Sequence, residues 1–343
     1  MQGEALIQSV LEDYGALTRQ ALRRYLPTME PRRYLYDLVC DYPRRGGKMM
    51  RPCLCIATAR AFGARAEDAV RAAVSIELFH NALLVHDDIH DESRLRRGLP
   101  SLHALHGLPL ALNAGNALVM LSLRPISEYR ARFGLNVTAL LIEELERMAR
   151  ESGEGQALEL GWRRDNVIDL CEADYFEMVL KKTCWYTTIS PMRLGAVIGL
   201  REMLPEFETL IRFGFFVGTA FQIRDDVLNL LGDERYGKEI HDDLLEGKRT
   251  LMLIHLLSNA TAQEHERISA FLASPREARV GEPVRWMVER MKHYGSIDYA
   301  QEIANGLAGA AFHEFSRLFD ALPDTRDKRF LAELVTWVLE RTS

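Results

Sequence analysis

The sequence lacks most of the features that would mark an extracellular, membrane-embedded or nucleic-acid-binding protein. Its 343 residues include five cysteines, Cys40, Cys53, Cys55, Cys171 and Cys184. The number is odd, and none forms a CxxC pair or a cysteine–histidine set with zinc spacing, so neither a disulfide framework nor a structural zinc site is expected. Reduced, mostly buried thiols in a cytoplasmic protein are the expectation instead. No apolar run reaches the roughly 18 residues of a membrane span. The longest weakly polar stretch, Leu108 to Leu123, is broken by Asn113, Gly115 and Asn116. The N-terminus reads as an amphipathic helix without the apolar core of a signal peptide. A basic excess is missing too: 43 Lys and Arg against 49 Asp and Glu give a net charge of −6, which argues against a nucleic-acid partner. Strand signals are almost absent, since no Asn-Gly or Asp-Gly turn joins two alternating β-branched runs.

What is present is helical periodicity. Apolar residues recur at three- and four-residue steps through Ala69–Val85, Leu135–Met148, Tyr175–Thr188, Phe207–Leu231 and Phe330–Leu339. Breakers fall between such segments, at Pro43–Gly47, Gly98–Pro100, Gly232–Gly237 and Pro323–Asp324. With no repeat, low-complexity tract or long linker, residues 1–343 read as a single all-α domain. Its central helices are apolar enough to be buried.

Charge on those helices is concentrated at two points. Asp87, Asp88 and Asp91 end an apolar helix that also carries Glu77 and His80. A spacing of four puts Asp87 and Asp91 on one helix face, where two carboxylates repel unless cations neutralise them. Paired oxygen donors suit Mg²⁺, which binds one or two carboxylates together with phosphate oxygens. Taken alone, the pattern fits a solvated acidic helix end equally well. The second cluster, Phe221-Gln222-Ile223-Arg224-Asp225-Asp226 with Asn229 three residues on, repeats the arrangement on another apolar helix. Two such ends across one bundle would cage several metal ions. Cationic residues come in short sets: Gly46-Gly47-Lys48 with Arg51, then Arg96-Arg97, Lys182-Thr183, Gly237-Lys238, and Gly247-Lys248 with Thr250. Arginine forks and lysine point charges both suit diphosphate. The Gly-Gly-Lys run is not a Walker loop, which needs GxxxxGK[ST]. Any one of these cations alone reads as a surface group.

In order, GGKxxRP, ExxHxxxLxxDDxxDxxxxRRGxP, GQ, KT, FQIxDD and GKxxxxDLxEGKxT resemble the trans-type isoprenyl diphosphate synthases, with motifs from Gly46 to Thr250. The resemblance implies a bundle of about a dozen helices around a deep cavity, as a homodimer. Three Mg²⁺ would be held by Asp87, Asp88, Asp91, Asp225 and Asp226. Arg96, Lys182 and Lys238 would grip an allylic diphosphate, with Lys248 nearby. Lys48, Arg51, His80 and Arg97 would bind isopentenyl diphosphate, and Thr183 and Gln222 would flank the reacting carbons. Read alone, His80 is a core histidine; in register with Glu77, Lys48 and Arg51 it reads as a ligand. Ala82 and Leu83, about one turn below Asp87, would form the cavity floor, with Phe79 the next plug. A small Ala82 leaves room for a product longer than fifteen carbons, geranylgeranyl diphosphate or beyond. Asn116 and Asn229 stand where Asp is commoner in the family. The segment Trp162–Asn166 reads as packing and surface polarity, nothing after Ser258 carries a motif, and Arg341 reads either as a solvated terminal charge or, as the resemblance implies, as a basic tail that helps close the site. A class I terpene cyclase would carry a different second metal motif and need no isopentenyl site. A non-catalytic partner subunit would lose an aspartate motif, and a di-iron bundle would need a second Glu-x-x-His.

Overall fold

The structure, a computed structural model, describes residues 2–203, 207–231 and 241–340. Sixteen α-helices run through the described residues. Helix α1 (Gln2–Leu22) is followed by α2 (Asp37–Arg44), α3 (Met50–Ala61), α4 (Ala66–His90), α5 (Leu102–His106), α6 (Leu108–Ser127) and α7 (Tyr129–Arg164). Then come α8 (Glu172–Val179), α9 (Ser190–Leu200), α10 (Phe207–Leu231), α11 (Asp242–Glu246) and α12 (Leu251–Asn259). The chain finishes in α13 (Ala262–Ala273), α14 (Glu282–His293), α15 (Ser296–Phe319) and α16 (Arg326–Glu340). The all-α expectation holds, and the predicted Phe207–Leu231 segment coincides with α10.

Helix α4 lies at the centre because it is apolar on nearly every side. Its positions from Ala69 to Val85 are mostly buried, packed against α3 and α6. Helix α10 pairs in the same way with α15. Two buried clusters result, one around α3, α4, α6 and α9, and a second around α8, α10, α12 and α14. The segment between α8 and α9, Leu180–Ile189, winds as a wide π-helix. Such turns recur at functional sites because they displace side chains from the α-helical register. This one carries the Lys182-Thr183 pair. It also comes unusually near α7, where any side chain on Gly155 would run into the backbone of Lys181 and Lys182.

One element departs from the expected absence of strands. Leu95–Arg96 (β1) and Leu99–Pro100 (β2) form a minimal antiparallel hairpin. Its two turn residues, Arg97 and Gly98, take φ of 54° and 74°, as a tight two-residue hairpin turn requires. The signal is one glycine, too little to read as a hairpin. All five cysteines are unpaired; four are buried and Cys171 is exposed. Among the described residues no helix is long and apolar enough to cross a membrane.

Candidate active site

Helix α4, α7, the α8–α9 rod, α10 and the loop after α11 surround one cleft of about 240 Å³. Asp87 enters it from α4, and Asp225 and Asp226 from α10, so the two acidic motifs share a cavity. Lys182, Thr183, Gln222, Arg96 and Lys248 also line it. Leu84, Met178, Val179, Tyr186 and Phe221 give it apolar wall.

The three carboxylates of the first motif have different surroundings. Asp87 is 3.9 Å from Lys182 Nζ, which donates to Glu159 at 2.6 Å. Burial alone would lower the Lys182 pKa, but Glu159 and Asp87 more than reverse that, and it stays charged. Asp88 turns away from the cleft and is held by Arg96 and the Tyr42 hydroxyl. Asp91 is 4% exposed and accepts from Arg163 at 2.6 Å, with Lys248 3.6 Å from its other oxygen. Burial raises its pKa, and Lys248, Lys182 and Arg163 together bring it below the ordinary carboxylate range.

On α10 the balance is reversed. Asp226 accepts from Gln222 at 2.7 Å and from the Tyr175 hydroxyl at 3.0 Å. Burial, reinforced by the nearby Asp243 and Asp225 carboxylates, still pushes its pKa well above the usual range. Like charges gathered in a buried site favour a cation between them. Gln222 also receives the Thr183 hydroxyl at 3.0 Å, linking the π-helical segment to α10. Asn229 contributes differently from a cavity ligand: its Oδ1 accepts the Asp243 backbone N–H at 3.1 Å and anchors the entry to α11.

A second, smaller compartment of about 100 Å³ adjoins the first, sharing Arg51, His80 and Phe221 with it. Gly47, Lys48, Arg97, Glu77 and Thr187 line it, with Trp337 from α16. Arg51 donates to Thr187 at 2.9 Å, lies 3.4 Å from His80 Nε2, and stacks 4.4 Å above the Tyr186 ring. Burial drives the His80 pKa well down, and Arg51, Arg97 and Arg96 add to it, so its ring is neutral. Lys48, Arg51 and Arg97 therefore supply the positive charge of this pocket.

The expected residues thus gather at two connected compartments, with exceptions. Phe79, Ala82 and Leu83 do not line the main cleft, whereas Leu84 does. Ala82 and Phe79 are buried in the helix core. Ala82 stands at the expected depth, but five residues of helix turn it by about 140° from Asp87, while Leu84 and His80 stay within about 60°; Leu83, at about 40°, shares that face, so rotation accounts for Ala82 alone. Lys238 and Arg341 lie outside the described residues. Asn116 is hydrogen-bonded to His86, next to Asp87. The motifs do not single out Tyr42, Glu159, Tyr175, Thr187 or Trp337, while Asp243 belongs to the GKxxxxDLxEGKxT motif without a role of its own and Arg163 to the Trp162–Asn166 segment. Glu159 alone had a usable signal, as it sits one turn beyond Gln156 on the same helix.

The donor set suits a divalent cation. Among the described residues no three carboxylate, imidazole or thiolate groups converge into a ready-made cage. The cleft instead offers carboxylates from two helices, to be completed by ligand oxygens as Mg²⁺ commonly requires.

Comparison with known proteins agrees. The chain matches the Polyprenyl synthetase family over residues 32–290. It is 31% identical over 337 residues to geranylgeranyl pyrophosphate synthase of Geoglobus acetivorans, covering 98% of this chain and 99% of that one. The crystal structure of geranylgeranyl pyrophosphate synthetase from Pyrococcus horikoshii superposes with a TM-score of 0.86 at 31% identity, covering 99% of this chain and all of that one. A polyprenyl synthase from Caulobacter crescentus, crystallised with calcium and isoprenyl diphosphate, gives 0.85 at 25% identity, covering 99% of this chain and 98% of that one. With a cleft walled by paired aspartates, a cationic pocket beside it and matches along nearly its whole length, this chain belongs to the polyprenyl synthetase family.

Proposed function

We propose that the protein lengthens an allylic diphosphate by head-to-tail condensation with isopentenyl diphosphate, giving geranylgeranyl diphosphate or a longer product. The observation that carries this reading is the pair of compartments meeting at Arg51, His80 and Phe221. The acidic cleft takes the allylic diphosphate, and the cationic pocket takes isopentenyl diphosphate.

Ionisation breaks the allylic C1–O bond, leaving diphosphate with the electron pair. Asp87, Asp91, Asp225 and Asp226 would hold Mg²⁺, which would supply part of the charge that stabilises this leaving group. Arg96, Lys182 and Lys248 supply the rest from fixed positions, so little reorganisation is needed during the step. Lys48, Arg51 and Arg97 hold the second diphosphate so that its terminal double bond reaches the cationic C1 over Tyr186 and Phe221. Carbon–carbon bond formation leaves a tertiary cation, and loss of a proton to the released diphosphate restores a double bond. Thr183 and Gln222, bonded to each other, orient the reacting carbons. No protein nucleophile is required.

The reading includes a homodimer in the cytoplasm. Support for the location comes from five unpaired cysteines. Support for the dimer comes from Leu108, Leu112, Met120 and Leu123, which leave an apolar stripe on the outside of α6.

Purified protein with Mg²⁺, labelled isopentenyl diphosphate and, in parallel, dimethylallyl, geranyl or farnesyl diphosphate tests the activity. Chromatography of the dephosphorylated products should show chains of twenty carbons or more, and a chelator should abolish them. Asp87→Asn and Asp226→Asn should each lower kcat by about 10²-fold or more, the scale of losing one preorganised transition-state contact. Activity only after adding a second subunit would point to a partner subunit, and cyclic hydrocarbon from the allylic diphosphate alone to a cyclase.

A further inference from the structure

Asp91 is expected to share a metal ion with Asp87, yet the two carboxylates differ in access. Asp87 opens into the cleft, while Asp91 does not line it. Both Asp91 oxygens face cations, Oδ1 the Arg163 guanidinium at 2.6 Å and Oδ2 the Lys248 ammonium at 3.6 Å. A guanidinium at that distance makes a charge-assisted hydrogen bond. An Mg²⁺ ligand oxygen must come within about 2.0–2.1 Å of the ion. A carboxylate oxygen already paired with a guanidinium has less negative charge to offer a metal ion, and the guanidinium itself repels that ion.

Arg163 stands in the last turn of α7, and the turn after it reaches Lys248 through the backbone. Asn166, at φ 47°, accepts from Arg249 at 2.8 Å, and Arg249 also donates to the Val167 carbonyl at 3.1 Å. Arg249 directly follows Lys248 in sequence. The segment Trp162–Val167 therefore controls both cations on Asp91, one by its own side chain and one by anchoring the loop that carries it. Its polar residues had read as ordinary surface.

We propose that Arg163 is a positioning residue that competes with the divalent cation for Asp91, so that the end of α7 sets the metal affinity of the first aspartate motif. This rests on the metal-binding reading above. The opposite role is an outer-shell partner that orients a ligand for the metal, whose loss typically costs 10- to 100-fold in affinity. The two roles predict opposite signs.

Mn²⁺ binding to the full chain without diphosphates, followed by electron paramagnetic resonance, separates them. Arg163→Gln should bind Mn²⁺ about tenfold more tightly than the wild type, by the same outer-shell scale with the sign reversed. Arg163→Lys, with one compact donor instead of a fork, should fall between, and Asp91→Asn should erase the difference. Equal or weaker binding by Arg163→Gln overturns the proposal. If that variant does not fold, Arg163→Lys decides by the same criterion. Mn²⁺ binding to the wild type that Arg163→Gln leaves unchanged defeats only the role of Arg163. No binding by either protein without diphosphates overturns this proposal alone; the metal site, whose shell ligand oxygens complete, fails only if the chelator leaves turnover intact.

Discussion

His80 shows how one side chain can be read two ways until its neighbours are placed. By itself a histidine on an apolar helix is a core residue. Here it is half-buried, 3.4 Å from Arg51 and within the field of Arg97 and Arg96, stacked near Tyr186 with ring centroids 6.0 Å apart, and kept neutral. Its neutrality has a consequence for stability. The unfolded chain's histidine takes up a proton near pH 6.5, whereas the folded one resists it until much lower pH. The folded state therefore keeps this contribution above about pH 6.5 and loses it as the pH falls. The loss can reach about 1.4 kcal/mol per pH unit for one proton. Urea midpoints between pH 7.5 and 5.5 should fall less steeply in His80→Gln than in the wild type; parallel slopes would show that His80 does not titrate on unfolding. The residues that went unread have a common character. Tyr42 and Trp337 act on the site by approaching from distant parts of the chain, and nothing in their local sequence marks them.

Among the elements, α4 and α10 were legible because each combines an apolar run with an acidic end. The π-helical segment was not, since Tyr175–Thr188 has an unbroken apolar pattern and hydrophobic spacing does not reveal a change of winding. Helices α13 to α15 escaped for another reason: their amphipathic pattern exists, but no motif draws attention to it. The product-length reading turns on the direction of α4 side chains. Ala82 is buried in the helix core, whereas Leu84 faces the cleft. If the growing chain extends along the cleft wall, Leu84→Phe should shorten the products while Ala82→Phe mainly lowers stability by about 1–3 kcal/mol through overpacking. Should Ala82→Phe shorten them and Leu84→Phe not, the hydrocarbon runs along the opposite flank of α4, as the sequence reading expects. Product chromatography and thermal melting of both variants distinguish these outcomes.

For the molecule as a whole, the sequence conveyed the all-α class and the order of the motifs, because both depend on local pattern. How the cationic pocket is closed was beyond it, because Trp337 arrives from α16, almost 290 residues after Lys48. Association is a further property at this scale. Leu112 and Met120 lie two turns apart on the exposed stripe of α6, 41% and 66% exposed. A dimer formed through it should be split by Leu112→Glu combined with Met120→Glu, giving half the mass in light scattering; an unchanged mass would place the contact elsewhere. Helix α16 packs on α1 and α3, so the two ends of the chain meet beside the smaller compartment. The Trp337 wall is thus held in place by packing on α1 and α3 rather than by the charged residues it encloses, so loosening the α1–α16 contact would open the smaller compartment without touching a single cation in it.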